Sequence, residues 1–287
     1  MTMLKILYTL FISAGLFTTS FAQYIEAGIF AGAAVYNGDL SHKLIHLSEV
    51  HPAVGLQVGV PMGNYFSINF TSKITTLSGN DDNASKPAFQ ARNLDFTSKL
   101  FESGVVMHYY ITGFNPLRNN FFSPYLLAGA SYFHFNPKTK YNGISYELQP
   151  LGTEGQGTSA FPDREPYKLN EFSIPMGAGI KYSISRRTNI GIECVANKTF
   201  TDYIDDVSTT YVEEGILIAE NGALANDLSN RTDEYLNSEP MPYDENQPRG
   251  NPEFKDWYGF LGFTLTYNFM AEKFSNPASS AISCPNF

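Results

Sequence analysis

From Trp257 to Phe269 the chain alternates with a period of two. Trp257, Leu261, Phe263, Leu265, Tyr267 and Phe269 fall on one face, broken only by Gly259, while Gly262, Thr264, Thr266 and Asn268 fall on the other. This is the spacing of an extended strand with one apolar face. That face carries Trp257 at one end and Tyr267 with Phe269 at the other, with aliphatic and phenyl groups between, as expected of a strand that crosses a bilayer. Seven further segments repeat the pattern: 24–36, 53–60, 65–74, 101–111, 123–135, 172–184 and 189–197. Residues 123–135 are apolar on both faces, so alternation alone does not fix their register.

The connections between these segments sort by length. Tight turns at Pro61-Met62-Gly63-Asn64, 115–120 and Ser185-Arg186-Arg187 alternate with long polar stretches at 37–52, after Ile74, at 136–170 and at 201–255. A barrel in an outer membrane has this asymmetry, with short turns in the periplasm and long loops outside, whereas soluble sandwiches have no reason to sort their loops. The expected fold is therefore all-β: an eight-stranded antiparallel transmembrane outer-membrane β-barrel over residues 23–269, with long extracellular loops and a location in the outer membrane of a Gram-negative cell. Within the last long loop, Ile216, Leu217, Ala219, Leu224, Ala225 and Leu228 recur at a spacing of three to four, which predicts a short helix in 215–231.

Charge decides which face is the lumen. Glu26, Lys73, Glu102, Lys181 and Glu193 all fall on the non-apolar faces, and an eight-stranded barrel is just wide enough to be filled by side chains. Carboxylates and ammonium groups that cannot face lipid are satisfied by pairing there, so the interior is expected to be plugged. Net charge is −9 with no basic tract, which argues against nucleic-acid binding. Aromatics at 15% and charged residues at only 16% suit an all-β chain whose outer face needs few charges.

The N-terminus reads as a signal peptide over residues 1–22: Lys5 precedes an apolar core from Ile6 to Phe17, and Ser20-Phe21-Ala22 supplies a cleavage site. Residues 270–287 follow the last strand as a tail, placed in the periplasm by this topology. No run of about 18 apolar residues occurs, so membrane crossing must be by strands.

Candidate chemistry is sparse. His42, His46 and His51 have a spacing that would suit metal ligation on a helix, but no acid or Cys stands near at ligand spacing, and a solvated loop is the favoured reading. Asp202, Asp205 and Asp206, followed by Glu213 and Glu214, invite a hard cation such as calcium, although no Asp-x-Asp-x-Asp-Gly loop surrounds them. Cys194 and Cys284 fall in different compartments, against a disulfide. There is no Gly-x-Ser-x-Gly, and His108 and His134 have no evident catalytic companion. No catalytic residue, cofactor or metal is expected.

Three stretches carry a resemblance. Ala22 to Gly32 with Tyr36-Asn37-Gly38-Asp39-Leu40, then Phe135-Asn136-Pro137-Lys138 with the run from Tyr146 to Gly157, and finally Thr201 to Ser208 resemble the PorG-like barrels of Bacteroidetes. The resemblance covers essentially the whole mature chain. It implies a non-catalytic outer-membrane subunit of the type IX protein secretion system, associated with a periplasmic ring lipoprotein and its partner, with no small-molecule substrate. In that setting Arg118, Arg186 and Arg187 on the short turns, together with the tail, are the candidate contacts to an acidic face of the ring. The alternative is a stand-alone surface-binding or adhesin-like barrel that uses the acidic long loops, and a third reading is a barrel enzyme.

Overall fold

The computed structural model describes residues 24–43, 46–236, 241 and 247–269; the expected signal peptide and tail lie outside them. The strands are β1 (Ile25–Asn37), β2 (His51–Met62), β3 (Phe66–Asn80), β4 (Asp95–Tyr110), β5 (Phe122–His134), β6 (Pro137–Tyr141), β7 (Ile144–Glu147), β8 (Asn170–Ser183), β9 (Thr188–Thr199) and β10 (Trp257–Phe269). All but β6 and β7 form one closed antiparallel barrel of eight strands. The ring closes where β1 meets β10, in register from Ile25 opposite Phe269 to Asn37 opposite Trp257.

Every barrel strand turns one set of alternate residues outward. Val54, Leu56 and Val58, then Ile68, Phe70 and Ile74, then Val105 and Met107, then Leu261, Phe263 and Leu265 are all exposed, Phe263 at 66%. A continuous apolar belt of this extent is not left against water, and with no backbone edge exposed the ring can sit in hydrocarbon. The protein is an outer-membrane barrel. Tyr65, Phe66, Tyr109, Phe122, Tyr182, Tyr267 and Phe269 are exposed near the short-turn end, and Tyr132, Phe172 and the partly exposed Trp257 near the other. These aromatics mark the two interfaces.

At the long-loop end the pattern reverses, and two strands run further than alternation predicts. β3 continues past Ile74 to Asn80, and β4 starts at Asp95 rather than near Phe101. Beyond Ile74 the outward positions become Thr76, Ser78 and Asn80, and on β4 they are Thr97 and Lys99, while Leu77, Phe96 and Leu100 turn inward and are buried. Outside the membrane the barrel wall is wetted and its core apolar, as in a soluble protein, so a search for outward apolar residues stops too early. β5 is apolar on both faces because each face has an apolar neighbour: Leu126 and Tyr132 face lipid, whereas Tyr125, Leu127 and Phe133 fill the lumen. Tyr258 and Phe260 on β10 also point inward, so the lumen face of that strand is aromatic at its outer end, not small or hydroxylic throughout.

The long connections fold into a cap over this end. Residues 136–170, expected as an irregular stretch rich in Pro and Gly, contain the β6–β7 hairpin, which pairs with β4 through Thr97 and Ser98. Helix α1 (Pro87–Arg92) follows β3. In the last loop the expected single helix is two, α2 (Glu214–Glu220) and α3 (Ala223–Ser229), followed by α4 (Thr232–Leu236). Gly222 makes the break, because its φ of 94° is a left-handed conformation that an L side chain would resist.

Candidate functional site

Two polar clusters lie inside the molecule, one in the lumen and one in the cap. In the lumen, Lys181 Nζ donates to Glu26 Oε1 at 2.5 Å and to Tyr110 Oη at 3.3 Å. Lys73 Nζ donates to Glu193 Oε1 at 3.3 Å, and Tyr125 donates to Glu193 Oε2 at 3.1 Å. Glu102 stands opposite Lys73 in the β3–β4 register, yet its Oε2 accepts from Tyr258 at 2.5 Å. All five charged residues are buried. The small inner faces make this packing possible: a Cβ on Gly179 would lie 2.4 Å from the Tyr125 ring, so only glycine admits the tyrosine that reaches Glu193.

The short-turn mouth is closed by Phe114, which is buried and stacks on Tyr110 with ring centroids 5.4 Å apart. Its amide donates to the Asn64 carbonyl at 2.6 Å, and Asn115 Nδ2 donates to Asn64 Oδ1 at 2.9 Å, so one turn pins the other beneath the barrel.

The cap is organised around buried arginines. Arg92 grips Asp81 with two bonds of 2.7 Å, a paired geometry that resists displacement, and its Nη1 donates to the Arg249 carbonyl at 2.6 Å. Arg249 in turn bonds Glu154 Oε1 at 3.1 Å and the Asp206 carbonyl at 2.6 Å. Glu154 also accepts from the Ser208 and Thr209 amides, each at 2.9 Å. Arg231 joins Asp95 of β4 to Glu234 of α4 and to Thr139 of β6. Each arginine thereby ties together segments remote in sequence. The tie is costly to break from one side, since a buried charge left alone costs about 3–5 kcal/mol.

The carboxylates respond to this setting. Burial raises Asp206 to about 6 even though Arg249, Thr153 and Tyr167 favour its charge. Burial also raises Asp202 to about 7; Ser208 donates to its Oδ2, but its Oδ1 has no hydrogen-bond partner. At Asp81 burial acts in the same direction, but the bonds from Arg92, His42 and the Leu94 amide prevail and hold it below the usual range.

The residues singled out for metal chemistry are not brought together. His42 Nε2 lies 2.9 Å from Asp81, His46 Nδ1 2.7 Å from Ser48 Oγ, and His51 Nε2 2.7 Å from Ser78 Oγ. Asp202 turns to Ser208, Asp205 to Tyr36 and the Leu40 and Val207 amides, and Asp206 to Thr153 and Tyr167. Among the described residues no three His, Cys, Asp or Glu are placed to hold a metal ion. The Ser78–His51 contact has the spacing of a nucleophile and its base, but among the described residues no carboxylate hydrogen-bonds the other imidazole nitrogen. Cys194 is a free thiol on the lipid-facing side of β9, and Cys284 lies outside the described residues.

Of the turn arginines, Arg118 and Arg186 are exposed, while Arg187 donates to Tyr267 Oη at 3.1 Å. Alternation could not find Arg92, Glu154, Arg231 or Arg249, which sit in aperiodic loops. The one local signal is the Gly152-Thr153-Glu154-Gly155-Gln156-Gly157 run, where all three glycines take positive φ and wrap the backbone around Glu154.

The attachment invasion locus protein Ail of Yersinia pestis is similar in structure at 11% identity, over 86% of this chain and 99% of Ail, with a TM-score of 0.38. Neisserial surface protein A is similar at 10% identity, over 85% and 97% of the two chains, with a TM-score of 0.40. The N-terminal barrel domain of Pseudomonas aeruginosa OprF is similar at 9% identity, over 85% and 97%, with a TM-score of 0.35. No curated protein matches the chain. A family model described as a domain of unknown function, DUF6089, matches residues 4–221, about three quarters of the length, and the chain belongs to that family.

Proposed function

We propose that this barrel is a non-catalytic outer-membrane subunit of the type IX secretion system, which holds or positions a periplasmic ring lipoprotein and its partner. What supports the reading is where the resembling stretches fall. Tyr36, Leu40, Phe135, Leu148, Glu154, Ile204, Asp206 and Val207 are buried in the cap and the top of the barrel. The resemblance is thus carried by the framework that folds the cap, and we look for the partner surface elsewhere. At the opposite end the exposed Arg118 stands on a turn locked to the Asn64 turn, and the carbonyl of the exposed Arg186 accepts from Asn268 Nδ2 at 3.0 Å, which together give a firm cationic face for an acidic partner.

Affinity purification of the intact protein from detergent-solubilised outer membranes tests this. Arg118→Glu with Arg186→Glu should weaken recovery of the ring proteins while the barrel stays folded, and replacing 215–231 with unrelated sequence should spare it. The opposite result favours a stand-alone surface-binding barrel, for which the exposed Ile218, Tyr235 and Leu236 of the cap helices would be the contact. In that case secretion of hydrolases would also survive deletion of the protein.

A further inference from the structure

Tyr36, at the outer end of β1, meets two carboxylates. Its Oη lies 2.6 Å from Asp205 Oδ2 and 2.8 Å from Asp256 Oδ1, and both acids are buried. A phenol has one proton and can donate to only one of them. For the second contact to be a hydrogen bond, one carboxyl must carry a proton of its own and donate to the phenol oxygen.

The surrounding donors identify which. Asp205 Oδ2 already accepts from the Leu40 amide at 3.1 Å, and its Oδ1 accepts from the Val207 amide at 3.0 Å, so both oxygens face N–H groups, as an ionised carboxylate requires. Asp256 Oδ2 accepts from the Ile204 amide at 2.8 Å, but among the described residues the phenol is the only hydrogen-bond partner of its Oδ1. Gly38 seals the arrangement: a Cβ there would lie 1.9 Å from both Asp256 Oδ1 and Tyr36 Oη, so the glycine backbone closes directly over the contact. Phe96 covers the Tyr36 ring edge-on, with centroids 4.8 Å apart.

We infer that Asp256 is held as a neutral acid, donating to Tyr36, which donates to ionised Asp205, and that this proton latches both ends of the longest extracellular loop to the rim of the barrel. Asp205 lies at the start of that loop, Asp256 immediately before β10, and Tyr36 on the barrel wall between them. The neighbouring charges are compatible with a retained proton. Asp39 and Arg92 face Asp205, Asp202 faces Asp256, and Glu154 and Lys255 face Asp202, so the charges that act most strongly on Asp256 are the acids Asp205 and Asp202. Burial raises Asp256 well above the usual carboxylate range, with Asp205 and Asp202 adding to the effect. The sign follows: an acid whose folded-state value is raised contributes most below the unfolded value and loses its contribution as pH rises through the folded one.

The test is limited proteolysis of the detergent-folded full-length barrel at pH 6 and pH 9, scoring cuts between 201 and 256. Heat-dependent gel mobility monitors the barrel itself, and comparing variants at one pH cancels the protease's own profile. Asp256→Asn keeps a donor towards Tyr36 and an acceptor for Ile204 but cannot ionise when the loop opens, so it should be cut more slowly than wild type, by a ratio that widens at least about tenfold between pH 6 and pH 9, the change that one pH unit of linkage supplies. Asp205→Asn leaves one oxygen for three donors and should be cut faster at both. Equal rates for wild type and Asp256→Asn at pH 9, or like behaviour of the two amide variants, overturns the assignment. So does a cap whose protection changes on adding calcium or a chelator, since the carboxylates would then be facing a cation. A variant cap too loose for proteolysis leaves infrared spectroscopy as the second measurement: a protonated-carboxyl band present in wild type at neutral pH and absent in Asp256→Asn is required.

Discussion

Lys73 Nζ sits between the rings of Phe30 and Phe260, 4.8 and 4.7 Å from their centroids, while its one carboxylate bond reaches across the lumen to Glu193. The ammonium is thus held by two ring faces and one hydrogen-bonded acid. Glu193→Gln should therefore lower barrel stability by about 3–5 kcal/mol, because it leaves Lys73 buried without its counter-charge. A lowered temperature for the mobility shift in detergent is the readout. Lys73→Met with Glu193→Leu, which removes both charges, should recover much of the loss.

Gly179→Ala should act on the same network from the opposite wall. The added methyl meets the Tyr125 ring and displaces its hydroxyl from Glu193. Overpacking of this kind costs about 1–3 kcal/mol. Gly179→Ala combined with Tyr125→Phe should be little worse than Gly179→Ala alone, as measured by the same shift.

The reversal of polarity along β3 and β4 sets the membrane boundary. Phe263→Arg, in the middle of β10, should impair assembly by about 2–4 kcal/mol, whereas Thr97→Arg, outward on β4 beyond the boundary, should cost under about 1 kcal/mol. Folding yields into lipid vesicles separate the two. Equal yields would mean that the boundary is misplaced.

Asp202→Asn should stiffen the cap in one direction of pH only. Asp202 is raised to about 7, so its contribution is full below about pH 4, declines above that and is lost once the pH passes 7, where the buried carboxyl ionises beside an unpartnered Oδ1. The amide retains the Ser208 bond and cannot ionise. Protease resistance of the cap should come closest to wild type below about pH 4 and exceed it at pH 8.

What could be read from the chain and what could not divide along a physical line. Alternation assigns side chains to faces, so the eight barrel strands, their closure and the loop asymmetry were legible wherever lipid lies on one side, as from Phe66 to Ile74. It failed beyond Ile74, where the same alternation runs on but the apolar Leu77 and Phe96 face inward and Thr76 and Thr97 outward. It also says which face a charge takes but not what it meets: nothing in the spacing pairs Lys73 with Glu193 rather than with Glu102 beside it. The cap was the least legible part. Arg92 and Arg249 are joined through a backbone carbonyl across 157 positions of sequence, and an aperiodic loop carries no local sign of such a bond.

The extension of β3 and β4 past the lipid turns the outer half of the molecule into a pedestal. Six residues of strand, 75–80, at roughly 3.3 Å each and tilted to the barrel axis, lift the wall by roughly 15 Å, and the wall is filled with Leu77, Phe96, Phe133 and Phe135. Whatever approaches from outside meets a filled column bearing a folded head. Such a surface has already spent its conformational entropy in folding, so docking on it forfeits little further freedom, and its recognition is that of one fixed shape.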